Sequence, residues 1–180
     1  MPGMSRNLVI DASVARSAGG VDATATTSVQ CRDFLLSVLR VCHHLAMTAA
    51  MSSEWKRNQS SFTRNWQVQM ANRRKLDYVD ALEMPALRER VEATARNDRD
   101  RRAMLKDWHL IEAALATHQV VVSRDESARC LFDAAARELR ELRSLAWVNP
   151  EREDEHPIAW LKQGARSQRS RRLGRTLPDV

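Results

Sequence analysis

The sequence predicts an α/β domain of three layers, with helices on both faces of a mostly parallel central sheet and a basic C-terminal extension. Three observations predict it. Short apolar runs at Asn7–Ile10, Gln119–Val122 and Leu145–Val148 have the length and composition of buried strands. The stretches between them carry apolar side chains at helical spacing, so strands and helices alternate, as they do in parallel sheets covered on both faces. Finally, Lys106–Leu131, KDWHLIEAALATHQVVVSRDESARCL, reads as a helix, a buried strand and a second helix in direct succession.

Taken in order, NLVI at 7–10 is a strand that ends in Asp11. Ser17 to Thr27, with Gly19–Gly20 and many small residues, reads as a loop. The helix after it places Phe34, Leu35, Val38, Leu39 and Cys42 on one apolar face. A short second strand is expected around Leu45–Met47. Ser52 and Ser53 offer N-caps for one long polar helix running to about Arg74, which puts Glu54 in its first turn. Pro85 suits the first turn of another helix, with Leu87 and Val91 inward. The run Arg96–Arg102 is too charged to bury and reads as a solvated turn, after which Asp107 opens a helix. Beyond the strand Gln119–Val122, Asp125 precedes a helix with Ala128, Leu131, Phe132, Ala135, Ala136 and Leu139 in register. Leu145–Val148 is the last strand. After Asn149–Pro150 the composition changes: Glu151–Glu155 is acidic, Pro157–Lys162 gives one or two helical turns, and disorder is expected from about residue 164. The reading is one domain over 1–150 and an extension over 151–180.

At 180 residues the length fits a single core. No run reaches the roughly 18 apolar residues of a membrane helix, and no charged-then-apolar leader opens the chain, so a soluble, cytoplasmic protein is expected. Three cysteines without C-x-x-C spacing, Cys31, Cys42 and Cys130, are expected on buried helix faces in a reducing compartment. The formal charge is +6, yet residues 157–180 alone carry +5 from Lys162, Arg166, Arg169, Arg171, Arg172 and Arg175 against Asp179. Any attraction for nucleic acid is therefore expected from the tail.

Four acids, Asp11, Glu54, Asp107 and Asp125, fall just after a predicted strand or in the first turn of a predicted helix. For any one of them the ordinary alternative is a helix N-cap. As a group they would repel one another unless cations intervene. Hard divalent ions such as Mg²⁺ or Mn²⁺ take oxygen ligands of this kind, and one or two of them can activate water and stabilise a phosphoryl transition state. No Gly-rich phosphate loop suggests nucleotide binding instead.

In this order the motifs VIDAS at Val9–Ser13, SSEW at Ser52–Trp55, DWHLIEAAL at Asp107–Leu115 and SRDES at Ser123–Ser127 resemble those of PIN-domain ribonucleases, the VapC-like toxin nucleases among them. The resemblance covers about residues 7–149, and Ser123 stands where that family more often has Thr. It implies a PIN-like nuclease fold with Asp11, Glu54, Asp107 and Asp125 as the catalytic acids. Asp11, Asp107 and Asp125 would hold Mg²⁺ or Mn²⁺, and Ser13 and Ser123 would support them. It further implies RNA as substrate, an antitoxin protein as partner and a homodimer. RNA processing outside a toxin–antitoxin pair, RNA binding without catalysis and a DNA-directed nuclease are the alternatives. Arg124 and the tail's Arg166, Arg169, Arg171 and Arg172 are the expected phosphate contacts, and the five tryptophans offer stacking surfaces, although Trp147, in a strand, suits the core. Arg57, Arg64, Arg73 and Arg74 read equally as the solvated face of the long helix. Cys42, His43 and His44 mark a helix end rather than a soft-metal site. Asp107 and His109, two apart, do not share a helix face, which leaves His109 to solvent or packing. Glu126 reads as a first-turn acid favoured by the helix dipole.

Overall fold

The computed structural model describes residues 4–175. Five strands form one parallel sheet. β1 (Asn7–Ile10) leads through a short α1 (Ala12–Ser17) and a loop into α2 (Thr26–Arg40), then β2 (His44–Met47). α3 (Ala49–Asn58) and α4 (Ser61–Asn72) precede β3 (Leu76–Tyr78), and α5 (Pro85–Ala93) and α6 (Asp98–Leu115) precede β4 (Val120–Val122). α7 (Glu126–Glu138) returns the chain to β5 (Ala146–Val148), and α8 (Pro157–Lys162) follows. The strand order is β3-β2-β1-β4-β5. The chain winds outward from β1 in both directions, so the switch point of the sheet lies between β1 and β4, where open α/β folds bind ligands at the carboxyl ends of the strands.

The predicted α/β architecture is present, and the strands at 7–10, 45–47, 119–122 and 145–148 agree with the observed ones to within a residue. Leu8, Val9, Ile10, Val120, Val121, Val122 and Trp147 are fully buried, which explains the unbroken apolar runs: a parallel sheet covered on both faces leaves no polar side to alternate with. β3, half-exposed and only three residues long, carried no such run.

Several expectations are corrected. The cap at the start of α3 is Thr48, which accepts from the Met51 amide, not Ser52 or Ser53, and Glu54 lies in the second turn. The expected long helix is broken at Gln59–Ser60, where the Ser60 hydroxyl bonds the Ala18 carbonyl at 2.6 Å and caps α4 through the Thr63 amide. Arg96–Arg102 is not a turn: Asn97 caps α6, with Asp98 and Asp100 in its first turn, where the dipole favours acids. Asp107 therefore sits mid-helix. Cys31 is buried, its thiol pushed up to about 12 by burial, but Cys42 and Cys130 are exposed.

The extension is ordered through the last described residue. Trp160, Leu161, Ala165 and Leu173 are buried, and Leu173 N–H donates to the Leu145 carbonyl beside an antiparallel bridge from Ala146 to Arg172. His43, fully buried, joins Arg6 and α8 through the Arg6 amide and the Leu161 carbonyl, so the three-residue run Cys42–His44 is a joint rather than a metal site. Residues 176–180, the end of the expected disordered stretch, lie outside the described residues. Among the described residues no helix is long and apolar enough to cross a membrane.

Candidate metal centre

Asp11 follows β1 and Asp125 lies three residues beyond β4, its strand neighbour. The Asp11 amide donates to the Val122 carbonyl at 2.9 Å, which extends the ladder one step past Ile10 and brings the two strand ends side by side. Although Asp11 stands at the N-cap position of α1, its side chain makes no capping bond. It accepts instead from two hydroxyls on the same oxygen, Oδ2: from Ser123 at 2.8 Å, and from Ser13. Each hydroxyl also accepts. Ser123 Oγ takes the Asp125 amide at 3.1 Å and Ser13 Oγ takes the Arg124 amide at 3.3 Å. A hydroxyl has one proton and two lone pairs, so each serine can tie the carboxylate after β1 to the loop after β4. Oδ1 of Asp11 has no hydrogen bond among the described residues.

Asp125 has two roles. Its Oδ1 accepts from the Ala128 amide at 2.8 Å and caps α7, the ordinary use of an Asp in this place. Oδ2 has no hydrogen bond among the described residues. Asp107 reaches the site from α6, which packs across β1 and β4. It is 5% exposed, has no hydrogen bond among the described residues, and its nearest cation is Lys106 Nζ at 3.8 Å from Oδ1. Its carboxyl is pushed up to about 7, first by burial and then by the charges of Asp11, Asp125 and Glu54, against the lowering effect of Lys106. The other three acids thus all bear on the Asp107 carboxyl.

Glu54 is carried there by Trp55. The fully buried indole donates from Nε1 to the Ile10 carbonyl at 3.0 Å, which fastens α3 onto the strand end just before Asp11. Facing it on α6, His109 Nε2 lies 3.0 Å from Glu54 Oε2, without the alignment of a hydrogen bond, while Nδ1 lies 3.1 Å from the Lys106 carbonyl. The assignment of His109 to solvent or packing is corrected: two positions after Asp107 it points to a different acid. No sequence signal separates this histidine from a packed one, because its partner lies on another helix.

The remaining expected residues fall elsewhere. Arg124 is half-buried, its guanidinium against Glu151 at 3.0 Å and bonded to Ser17. Arg171 is nearly buried, lies 5.4 Å over the Trp160 ring and is paired with Glu155. Arg166, Arg169 and Arg172 are exposed, but Ser167 and Leu173 bond Ser144 and Leu145, at the amino end of β5, so Arg166 and Arg172 emerge at the sheet edge opposite the acids. Trp55, Trp66, Trp108, Trp147 and Trp160 are all 3% exposed or less, so none offers a stacking surface. Glu126 accepts from Asn149 at 2.8 Å and faces Arg129 and Arg152, in keeping with a first-turn acid.

The donor set suits a hard divalent cation in kind, being all carboxylate, and the unbonded Asp107 carboxyl among three like charges is the feature a cation would relieve. Among the described residues no three acid, His or Cys side chains close into a ready cage. An ion here would be held by one or two carboxylates with water completing its shell, the habit of Mg²⁺. No protein-family model and no curated protein matches the chain.

Proposed function

We propose that this protein is a metal-dependent ribonuclease of the kind its motifs resemble, hydrolysing RNA phosphodiester bonds at the cluster of Asp11, Glu54, Asp107 and Asp125. The observation that carries the proposal is the joining of the strand ends after β1 and β4, where the Ser123 hydroxyl donates to Asp11 Oδ2 and accepts the Asp125 amide, beside the buried Asp107 carboxyl. Asp107, Asp11 and Asp125 would hold Mg²⁺ or Mn²⁺, one or two of them directly and the rest through water, and the ion when bound supplies Lewis acidity toward the phosphate and a more acidic water. Ser13 and Ser123 fix the Asp11 carboxylate and leave Oδ1 for binding. The α7 cap fixes Asp125 in the same way. Glu54, steadied by Trp55 and faced by His109, would orient a water or take its proton at Oε. Action in the cytoplasm as the toxin of a toxin–antitoxin pair, as a homodimer held in check by an antitoxin protein, completes the reading.

The absence of a ready three-ligand cage among the described residues favours a second reading, RNA binding without catalysis. Incubating the purified chain with structured and unstructured RNAs, with Mg²⁺ or Mn²⁺ and with EDTA, separates the two. Cleavage that requires metal and is lost in Asp11→Asn supports the nuclease; intact RNA under every condition supports the binder. A DNA substrate run alongside tests the choice of nucleic acid. Suppression of its growth inhibition by a small adjacent reading frame tests the toxin role.

A further inference from the structure

Asp125 stands between two charged neighbours of opposite sign, Arg124 and Glu126, and the side chains of both are held by the short loop after β5. β5 pairs with β4 in parallel, Val148 beside Val122, and the Ser123 amide donates to the Val148 carbonyl at 3.0 Å. Asn149 therefore leaves the sheet next to the Ser123–Asp125 turn. On one side of Asp125, Arg124 Nη2 donates to Glu151 Oε1 at 3.1 Å, Nε lies 3.0 Å from Oε2, and Nη1 bonds Ser17. On the other side, Glu126 Oε1 accepts from Asn149 Nδ2 at 2.8 Å. Asn149 is 3% exposed and braces the loop itself: Oδ1 accepts the Glu151 amide at 3.0 Å, and its own amide donates to Glu155 Oε2 at 3.3 Å. Glu155 is paired in turn with Arg129 of α7 and Arg171 of the extension.

The chemistry of each residue suits this use. A carboxamide offers a donor and an acceptor at once, so Asn149 can hold Glu126 with one end and the Glu151 amide with the other. A carboxylate there would meet Glu126 as a like charge, and an apolar side chain would leave the Glu151 amide and Glu126 without this partner. Glu151 presents both oxygens to the planar guanidinium of Arg124, an arrangement that fixes direction as well as distance. Asp125 Oδ1 is committed to the α7 cap, so the aim of its carboxylate follows the backbone between Arg124 and Glu126. Mg²⁺ demands near-ideal octahedral geometry, and the partners behind a ligand then decide whether the ligand is in place.

We propose that the loop after β5 is a clamp on Asp125, with Asn149 and Glu151 as positioning residues that act through Glu126 and Arg124. The inference rests on the metal-dependent reading of the acids. It gives Arg124 and Glu126 a use on either side of Asp125, and it gives the C-terminal extension a route to the site, from Arg171 through Glu155 to Asn149.

The test is calorimetric titration of the metal-free protein with Mn²⁺ in the absence of RNA, below the melting temperature of every variant, with cleavage of a single-stranded RNA measured in parallel. The variants are Asn149→Ala, Glu151→Ala and Glu151→Gln. The control is Lys75→Met, which disturbs the end of α2, away from the acids. Asn149→Ala and Glu151→Ala are each expected to weaken Mn²⁺ binding by about tenfold or more. Glu151→Gln keeps an oxygen for Arg124 Nη2 and is expected to recover most of that loss, while Lys75→Met binds Mn²⁺ like the intact protein despite a lower melting temperature. If Asn149→Ala does not fold, the two Glu151 variants decide. Unchanged Mn²⁺ affinity in the clamp variants, with RNA cleavage intact, would overturn the clamp and leave the nuclease standing. Equal weakening in Lys75→Met would also overturn it, by tracing the effect to stability alone. The expected affinities in a protein that never cleaves RNA would uphold the clamp and overturn the nuclease. An intact protein that does not bind Mn²⁺ overturns both.

Discussion

Asp107 is the residue from which the chemistry can be read most directly. Its carboxyl is raised from 3.8 to about 7, so the folded metal-free protein binds a proton there that the unfolded chain has already lost. Stability from this group is therefore full below about pH 4 and falls as the pH rises to about 7. The shift corresponds to roughly 4 kcal/mol at most, at about 1.4 kcal/mol per pH unit. Asp107→Asn in EDTA is expected to be more stable than the intact protein at pH 8, with the difference shrinking toward pH 4; urea unfolding at both values checks it, and a difference independent of pH would count against the cluster. Asp125 separates a cap from a site. Asn caps a helix about as well as Asp, so Asp125→Asn is expected to unfold within a few tenths of a kcal/mol of the intact protein at pH 4, where Asp107 is protonated, yet to lose RNA cleavage. Asp125→Ala should also lose about 1 kcal/mol of stability. Glu54→Gln is expected to keep the fold, because Trp55 rather than Glu54 anchors α3, and to lose most turnover. Normal turnover with a lowered melting temperature would return Glu54 to an ordinary surface acid.

At the scale of elements, local chemistry decided where helices start and stop, and long-range contacts decided what those ends touch. Thr48, Ser60, Asn97 and Asp125 all cap helices through their side chains, and each belongs to the residue types that cap well. Choosing Thr48 over Ser52 and Ser53 needed the observation that β2 ends at Met47. The end of α2 shows the same limit. Lys75, buried just before β3, donates from Nζ to the Val38 carbonyl at 2.7 Å, to that of Leu39 at 3.0 Å, and to Val41, placing a cation on the negative end of the helix. Burial holds its ammonium below the usual lysine range. Lys75→Met would leave three carbonyls without their donor. A loss of about 3 kcal/mol is expected from denaturant unfolding, with the acids untouched and RNA cleavage retained below the new melting point.

For the whole molecule, the tail is part of the core rather than an arm. Deleting residues after Leu161 removes Ala165 and Leu173 from the interior and Arg171 from Trp160, so the truncated chain is expected to melt well below the intact one rather than fold normally with weaker RNA binding. Thermal melting decides this. The sequence by itself determined the α/β class and the parallel strands, because these depend on local quantities: apolar runs and helical spacing. Tertiary structure decided the rest. Arg124 and Arg171 read as free cations, but folding set Glu151 and Glu155 opposite them. Four tryptophans read as stacking surfaces and became core, since a large apolar ring carries no mark of which side it will face. His109 met Glu54 only because α3 and α6 pack together. Arg99, read as part of a solvated turn, lines a cleft because Asn97 starts a helix there and α7 lies alongside. Pairing between charges distant in sequence is a property of the packed chain, and it separates a cation that is spent on the fold from one left to meet a ligand.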